Sequence, residues 1–183
     1  MKRVGDNPPV RFPNRPPSEA EGPWWVAKIK PRQEKAVAFD LLREEIEYYL
    51  PMYTHVVRRR DNNKPRKSIL PLFPGYISYC ASRGFERLIF KSGRVVNLVP
   101  VRNQKRFTDE LEQIYRSIES GVSLEPVQSY EPGDFVVVRR GPLRGITGTV
   151  TRISNETKLV LSVEGLGRAA MSVDSALVQP VQA

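Results

Sequence analysis

The run Trp24–Ile29 is apolar at every position but Lys28 and reads as a strand that Pro31 ends. The pattern then changes. From Arg32 to Glu47, Phe39, Leu42 and Ile46 recur at intervals of three and four, the mark of an amphipathic helix. Tyr48–Val57 reads as a second strand, and Pro51 inside it implies a bulge or an edge. Ile69–Cys80 is a third strand with Pro71 and Pro74 near its start. A short helix over Phe85–Lys91, with Gly93 as C-cap, leads to a fourth strand over Val95–Val101. Thr108 is the expected N-cap of a last helix. Asp109 and Glu110 suit its positive end, Leu111, Ile114, Tyr115 and Ile118 form its apolar stripe, and Gly121 stops it.

The order β-α-β-β-α-β-α predicts an α+β domain over residues 23–121, an antiparallel four-stranded sheet with three helices. Residues 122–130 form a short linker. Residues 131–183 hold only strand and turn signals and predict a small all-β barrel, near the lower size limit for an independent core. Residues 1–22 carry Pro8, Pro9, Pro13, Pro16 and Pro17 and are expected to be a disordered arm.

Charge sharpens this division. The formal net charge is +9. Residues 23–122 hold nineteen basic and eleven acidic side chains, whereas residues 123–183 hold six of each. The surplus lies in the α+β domain and favours phosphate backbones through counterion release. It concentrates in Arg58-Arg59-Arg60-Asp-Asn-Asn-Lys64-Pro-Arg66-Lys67, a basic turn between strands. Enzyme chemistry finds no support. His55 is the only histidine, no His/Cys spacing suits a metal, no phosphate-binding glycine loop is present, and no cofactor is implied. Cys80 is the only cysteine and sits in a strand, as a structural thiol does. No apolar run approaches the roughly 20 residues of a membrane span, and a cytoplasmic monomer without membrane contact is expected.

Two motifs carry a resemblance. Gly133–Val150 reads Gly-Asp-Phe-Val-Val-Val-Arg-Arg-Gly-Pro-Leu-Arg-Gly-Ile-Thr-Gly-Thr-Val: two strands around a Gly-Pro-x-x-Gly loop, the form of a KOW motif. Such modules occur in ribosomal proteins and in NusG-type transcription factors. Trp24-Trp25-Val26-Ala27-Lys28-Ile29-Lys30-Pro31-Arg32-Gln33-Glu34-Lys35, Tyr49-Leu50-Pro51-Met52 and Leu70-Pro71-Leu72-Phe73-Pro74-Gly75-Tyr76 together resemble the NusG N-terminal domain. Lys30–Lys35, Leu50-Pro51-Met52 and Pro71–Pro74 look more like the specialised RfaH- or UpxY-type antiterminators than the general factor.

The resemblance implies an NGN-type domain followed by an SH3-like KOW barrel. It implies an elongation or antitermination factor that sits on the clamp helices of the RNA polymerase beta-prime subunit and suppresses pausing. Leu72, Phe73 and Tyr76 would form the polymerase-binding pocket, with Ser78 standing where the paralogs often carry a larger residue. Lys30, Arg32 and Arg43 match positions near the displaced non-template strand, and Arg58, Arg59, Arg60, Lys64, Arg66 and Lys67 would reach upstream DNA. The KOW domain would meet a small-subunit ribosomal protein or Rho through Leu166 and Arg168, where Gly165-Leu166-Gly167-Arg168 replaces the family's Ile-Phe-Gly-Arg. Its Val, Thr, Gly and Pro content suits a permanent barrel rather than a helical hairpin. The alternative is a ribosomal or RNA-binding KOW protein, which would call for a basic C-terminal segment.

Overall fold

A computed structural model describes residues 7–58, 63–82, 86–126, 135–153, 156–172 and 178–180. Its first sheet has five antiparallel strands. They are β1 (Arg11–Phe12), β2 (Trp24–Ile29), β3 (Glu47–Tyr49), β6 (Tyr76–Cys80) and β7 (Val95–Val99), in the order β1-β3-β6-β2-β7. Four were expected. The fifth, β1, comes from the arm expected to be disordered, and that expectation is corrected for residues 7–22. Arg11 and Phe12 pair with Tyr49 and Tyr48. The Leu50 amide donates to Val10 O, the Tyr48 hydroxyl donates to Pro9 O, and Arg15 grips the Glu47 carboxylate with two nitrogens. Prolines bar an interior strand, but they permit a two-residue edge strand.

Two long strand expectations each split in two. Leu50-Pro51 separates β3 from β4 (Met52–Arg58), and Leu72–Gly75 separates β5 (Pro65–Pro71) from β6. Strands β4 and β5 pair only with each other, as a two-stranded ribbon. Helix α1 is Glu34–Arg43, and Val37, Ala38 and Leu41 are its buried positions, so the apolar stripe is offset from the one read in the sequence. Helix α2 is Glu86–Lys91. Helix α3 is Gln104–Glu119, one turn longer than expected. Its cap is Asn103, whose side chain accepts from the Arg106 amide, while the Thr108 hydroxyl lies inside the helix and donates to Gln104 O.

The pleat of β2 sends alternate side chains to opposite faces. Ala27 and Ile29, with Ile77, Tyr79, Tyr48 and Val95, meet α1 and α2. Trp24 and Val26, with Tyr49 and Cys80, face the other way, toward α3. Burial there raises the Cys80 thiol to about 11.

The C-terminal sheet contains β9 (Phe135–Val138), β10 (Thr147–Ile153), β11 (Glu156–Val163), β12 (Gly167–Ser172) and β13 (Val178–Pro180). The linker adds β8 (Glu125–Pro126), and the order is β13-β9-β10-β11-β12-β8. The linker is thus part of this sheet at its first residues. Gly148 lets β10 pass close to its neighbour, since a Cβ there would stand 2.4 Å from Val160 O. Gly148→Ala should therefore destabilise the protein by about 2 kcal/mol or more in chemical denaturation. The Cys80 thiol should resist alkylation at pH 8 until denaturant is added. Its raised pKa stabilises the fold below about 9, its ordinary value, and that contribution declines as pH rises toward about 11.

Candidate functional site

The face of the first sheet that carries Trp24 and Val26 is only partly covered by α3. The C-terminal sheet covers the rest. Leu72, Phe73, Phe107, Leu111 and Ile114 share one buried apolar cluster with Val136, Ile146, Leu161, Val163, Leu166 and Met171. Leu72 and Phe73, expected to form an accessible pocket, are only 0% and 3% exposed, while Tyr76 is half-buried. The cause is the β11–β12 turn, Glu164–Gly167. A Cβ at Gly167, whose φ is +145°, would stand 3.3 Å from Phe73 Cδ1; one at Gly165 would meet Val99 Cγ1 at 3.4 Å. Only glycines allow this approach. Leu166, the expected contact of the C-terminal module, is itself buried at 5% exposure. Tyr76, Arg106, Glu110, Leu166 and Arg168 line a shared cavity of about 520 Å³. The structure thus brings the two expected partner surfaces, Leu72/Phe73/Tyr76 and Leu166/Arg168, face to face.

Polar contacts from α3 fix this arrangement. The Glu164 amide donates to Glu110 Oε2 at 2.8 Å, the Thr147 amide donates to Gln113 Oε1 at 2.9 Å, and Arg116 Nη2 donates to Arg144 O at 2.9 Å. The three helix residues are spaced at three, so they share a face. Each grips a backbone group, and Gln113 Oε1 also accepts from the Thr147 hydroxyl at 3.2 Å. The sequence gives no sign of these contacts.

The Phe73 turn is pinned from behind. The Gly75 amide donates to Glu34 Oε1 at 2.7 Å, the Ile29 amide donates to Gly75 O, and the Leu72 amide donates to Pro51 O. Glu34 is buried, and sequence reading missed its role because a glutamate at the start of a helix usually serves the helix itself. Ser78, expected to shrink the pocket, is instead interior to β6, where its hydroxyl donates to Tyr49 O.

The expected nucleic-acid residues are not gathered into one patch. Lys30 and Arg32 are exposed at the β2–α1 connection, with Arg32 in the left-handed region at φ +63°. Arg32 borders a cavity of about 630 Å³ lined also by Pro31, Glu34, Lys35, Tyr53, Leu70, Pro71, Pro74 and Gly75. Lys35, absent from the expected set, ties α1 to the ribbon by donating to Ile69 O at 2.5 Å, and burial lowers its pKa. Arg43 lies at the far end of α1, roughly 15 Å away along the helix, paired with Asp40, which also holds Arg94. Of the basic turn, Arg58, Arg66 and Lys67 belong to the ribbon. Arg58 and Lys67 fall on one of its faces and Arg66 on the other, given the pairs Arg58↔Pro65, Val56↔Lys67 and Val57↔Arg66. Lys64 is exposed beside it; Arg59 and Arg60 lie outside the described residues. A two-stranded ribbon of this kind fits the width of a DNA major groove.

Residues 22–105 match the family model described as NusG, transcription termination factor nusG. The match spans a little under half of the chain, and over that segment the chain is similar to the NusG family. A solved structure described as "Domain interaction in Thermotoga maritima NusG" is 17% identical, with 88% of this chain and 98% of that chain covered and a TM-score of 0.49. Another, "Crystal Structure of MjSpt4:Spt5 complex conformation B", is 16% identical over 87% and 97% of the two chains, with a TM-score of 0.31. No curated protein matches.

Among the described residues, no group of three His, Cys, Asp or Glu could hold a metal, and no helix is long and apolar enough to cross a membrane. The arm of residues 7–21 precedes the segment matched to the NusG model. Replacing Glu34 by Ala should cost about 2 kcal/mol in chemical denaturation, because a charge-assisted bond to a part-buried amide is lost. Secondary structure by circular dichroism should be unchanged.

Proposed function

We propose that this chain is a NusG-family elongation and antitermination factor that binds the beta-prime clamp helices of RNA polymerase through Leu72, Phe73 and Tyr76, and that its own C-terminal module covers this surface between rounds of use. The observation that carries the reading is the burial of Phe73 under the Glu164–Gly167 turn. An aromatic ring held on a pinned turn is a suitable anchor for a helical tip. Lys30, Arg32 and the ribbon residues Arg58, Lys64, Arg66 and Lys67 remain exposed in the closed form, available to the phosphates of non-template or upstream DNA. Phosphate contacts of this kind position a factor without reading bases.

Because Leu166 and Arg168 face Tyr76 in the same interface, one opening event frees both surfaces. Polymerase on one side, and a small-subunit ribosomal protein or Rho on the other, would each favour the open state. By linkage, each would then strengthen the binding of the other. The C-terminal segment carries no net charge, which is poor support for a ribosomal RNA-binding role.

Affinity for a polymerase clamp-helix fragment tests this. Replacing Glu110 and Gln113 by Ala removes the contacts to Glu164 and Thr147 while keeping Leu72, Phe73 and Tyr76, and should tighten binding on the order of tenfold as closure weakens. Adding Phe73→Ala to that double variant should abolish binding. Binding that survives Phe73→Ala rejects the assigned pocket. Affinity that does not change in the Glu110/Gln113 variant rejects the covering.

A further inference from the structure

We infer that the N-terminal arm is a strap that holds α3 in the position required for closure, with Arg11 as its positioning residue. This rests on the closed reading above. The arm precedes the segment matched to the family model. Two sets of contacts define it. One ties it to the β3 edge: the pairing of Arg11–Phe12 with Tyr48–Tyr49, and the fork from Arg15 to Glu47. The other ties it to α3. Arg11 Nη1 donates to Glu119 Oε1 at 3.2 Å, the Arg11 guanidinium lies 4.6 Å over the Tyr115 ring, and the Ser18 amide donates to Glu112 Oε2 at 3.3 Å. Tyr115 in turn packs edge-on against Tyr49 of β3.

Helix α3 therefore carries three loads on three stripes. Phe107, Leu111 and Ile114 enter the apolar cluster. Glu112, Tyr115 and Glu119, at i, i+3 and i+7, meet the arm. Glu110, Gln113 and Arg116 grip the backbone of the C-terminal module. The contacts to arm and module interleave over the same turns. A shift of the helix when the arm leaves must displace the three gripping groups together, and hydrogen bonds tolerate little displacement. The arm thus favours closure through α3, by contacts distinct from those that join the module to the helix.

Hydrogen exchange at two amides reads this directly. The Thr147 and Glu164 amides are held by Gln113 and Glu110 and report the interface; the Leu161 amide reports the C-terminal sheet itself. In the full chain, Arg11→Glu should speed exchange at Thr147 and Glu164 by roughly five- to thirtyfold and leave Leu161 unchanged. Adding Glu119→Arg to Arg11→Glu should restore most of the protection. Deleting residues 1–21 should have at least the effect of Arg11→Glu. Unchanged exchange at Thr147 and Glu164 in Arg11→Glu and in the deletion overturns the strap. So does equal acceleration at Leu161, which would make the arm a general stabiliser, or a failure of Glu119→Arg to restore protection. Free exchange at Thr147 and Glu164 in the unaltered chain would instead overturn the closed reading on which the strap rests.

Discussion

A sheet with two apolar faces needs two covers, and the second cover is the constraint on which this molecule turns. Helices α1 and α2 shield one face through Val37, Leu41 and Ile89. On the other, α3 shields Trp24 and Tyr49, and the C-terminal module reaches Phe73 through Gly167. Leaving Leu72 and Phe73 in water would forfeit about 1.5–3 kcal/mol for each side chain. The C-terminal module removes that exposure, and it does so with a turn whose glycines let backbone lie on the Phe73 ring. Under the proposed function, the burial that stabilises the closed chain uses the same side chains that the polymerase would use.

This gives the interface a double character. Its apolar centre is non-directional and would accept another cover of similar shape. Its rim is specific: Glu110, Gln113 and Arg116 meet three particular backbone groups. A partner that offers only apolar area has to exceed both. Under the proposed function, opening is an equilibrium that a ligand biases by its differential affinity.

Local pattern in the sequence located most elements but not their relations. The α1 and α3 segments follow from periodicity, and the apolar run Trp24–Ile29 is correct to the residue as β2. The Pro51 and Pro74 interruptions were legible as breaks, though not as the hinges that detach a ribbon from the sheet. The arm was misread because proline content argues against interior structure, while its order comes from long-range partners, Glu47, Glu112 and Glu119, that no local window contains. Glu34 and Gln113 were invisible for the same reason. Leu72, Phe73 and Tyr76 were singled out as aromatic and apolar residues at a strand entry, but whether they face water or another module is a property of the assembled chain. The even charge of the C-terminal segment was the one sequence signal consistent with a module that packs on protein.

Rotational diffusion of the two modules in solution tests the closed arrangement most directly. Backbone ¹⁵N relaxation should give the amides of β2 and β6 the same correlation time as those of β11 and β12, that of a single body with a radius of gyration of about 16 Å. Two shorter, independent correlation times for the N-terminal and C-terminal sheets would contradict the account.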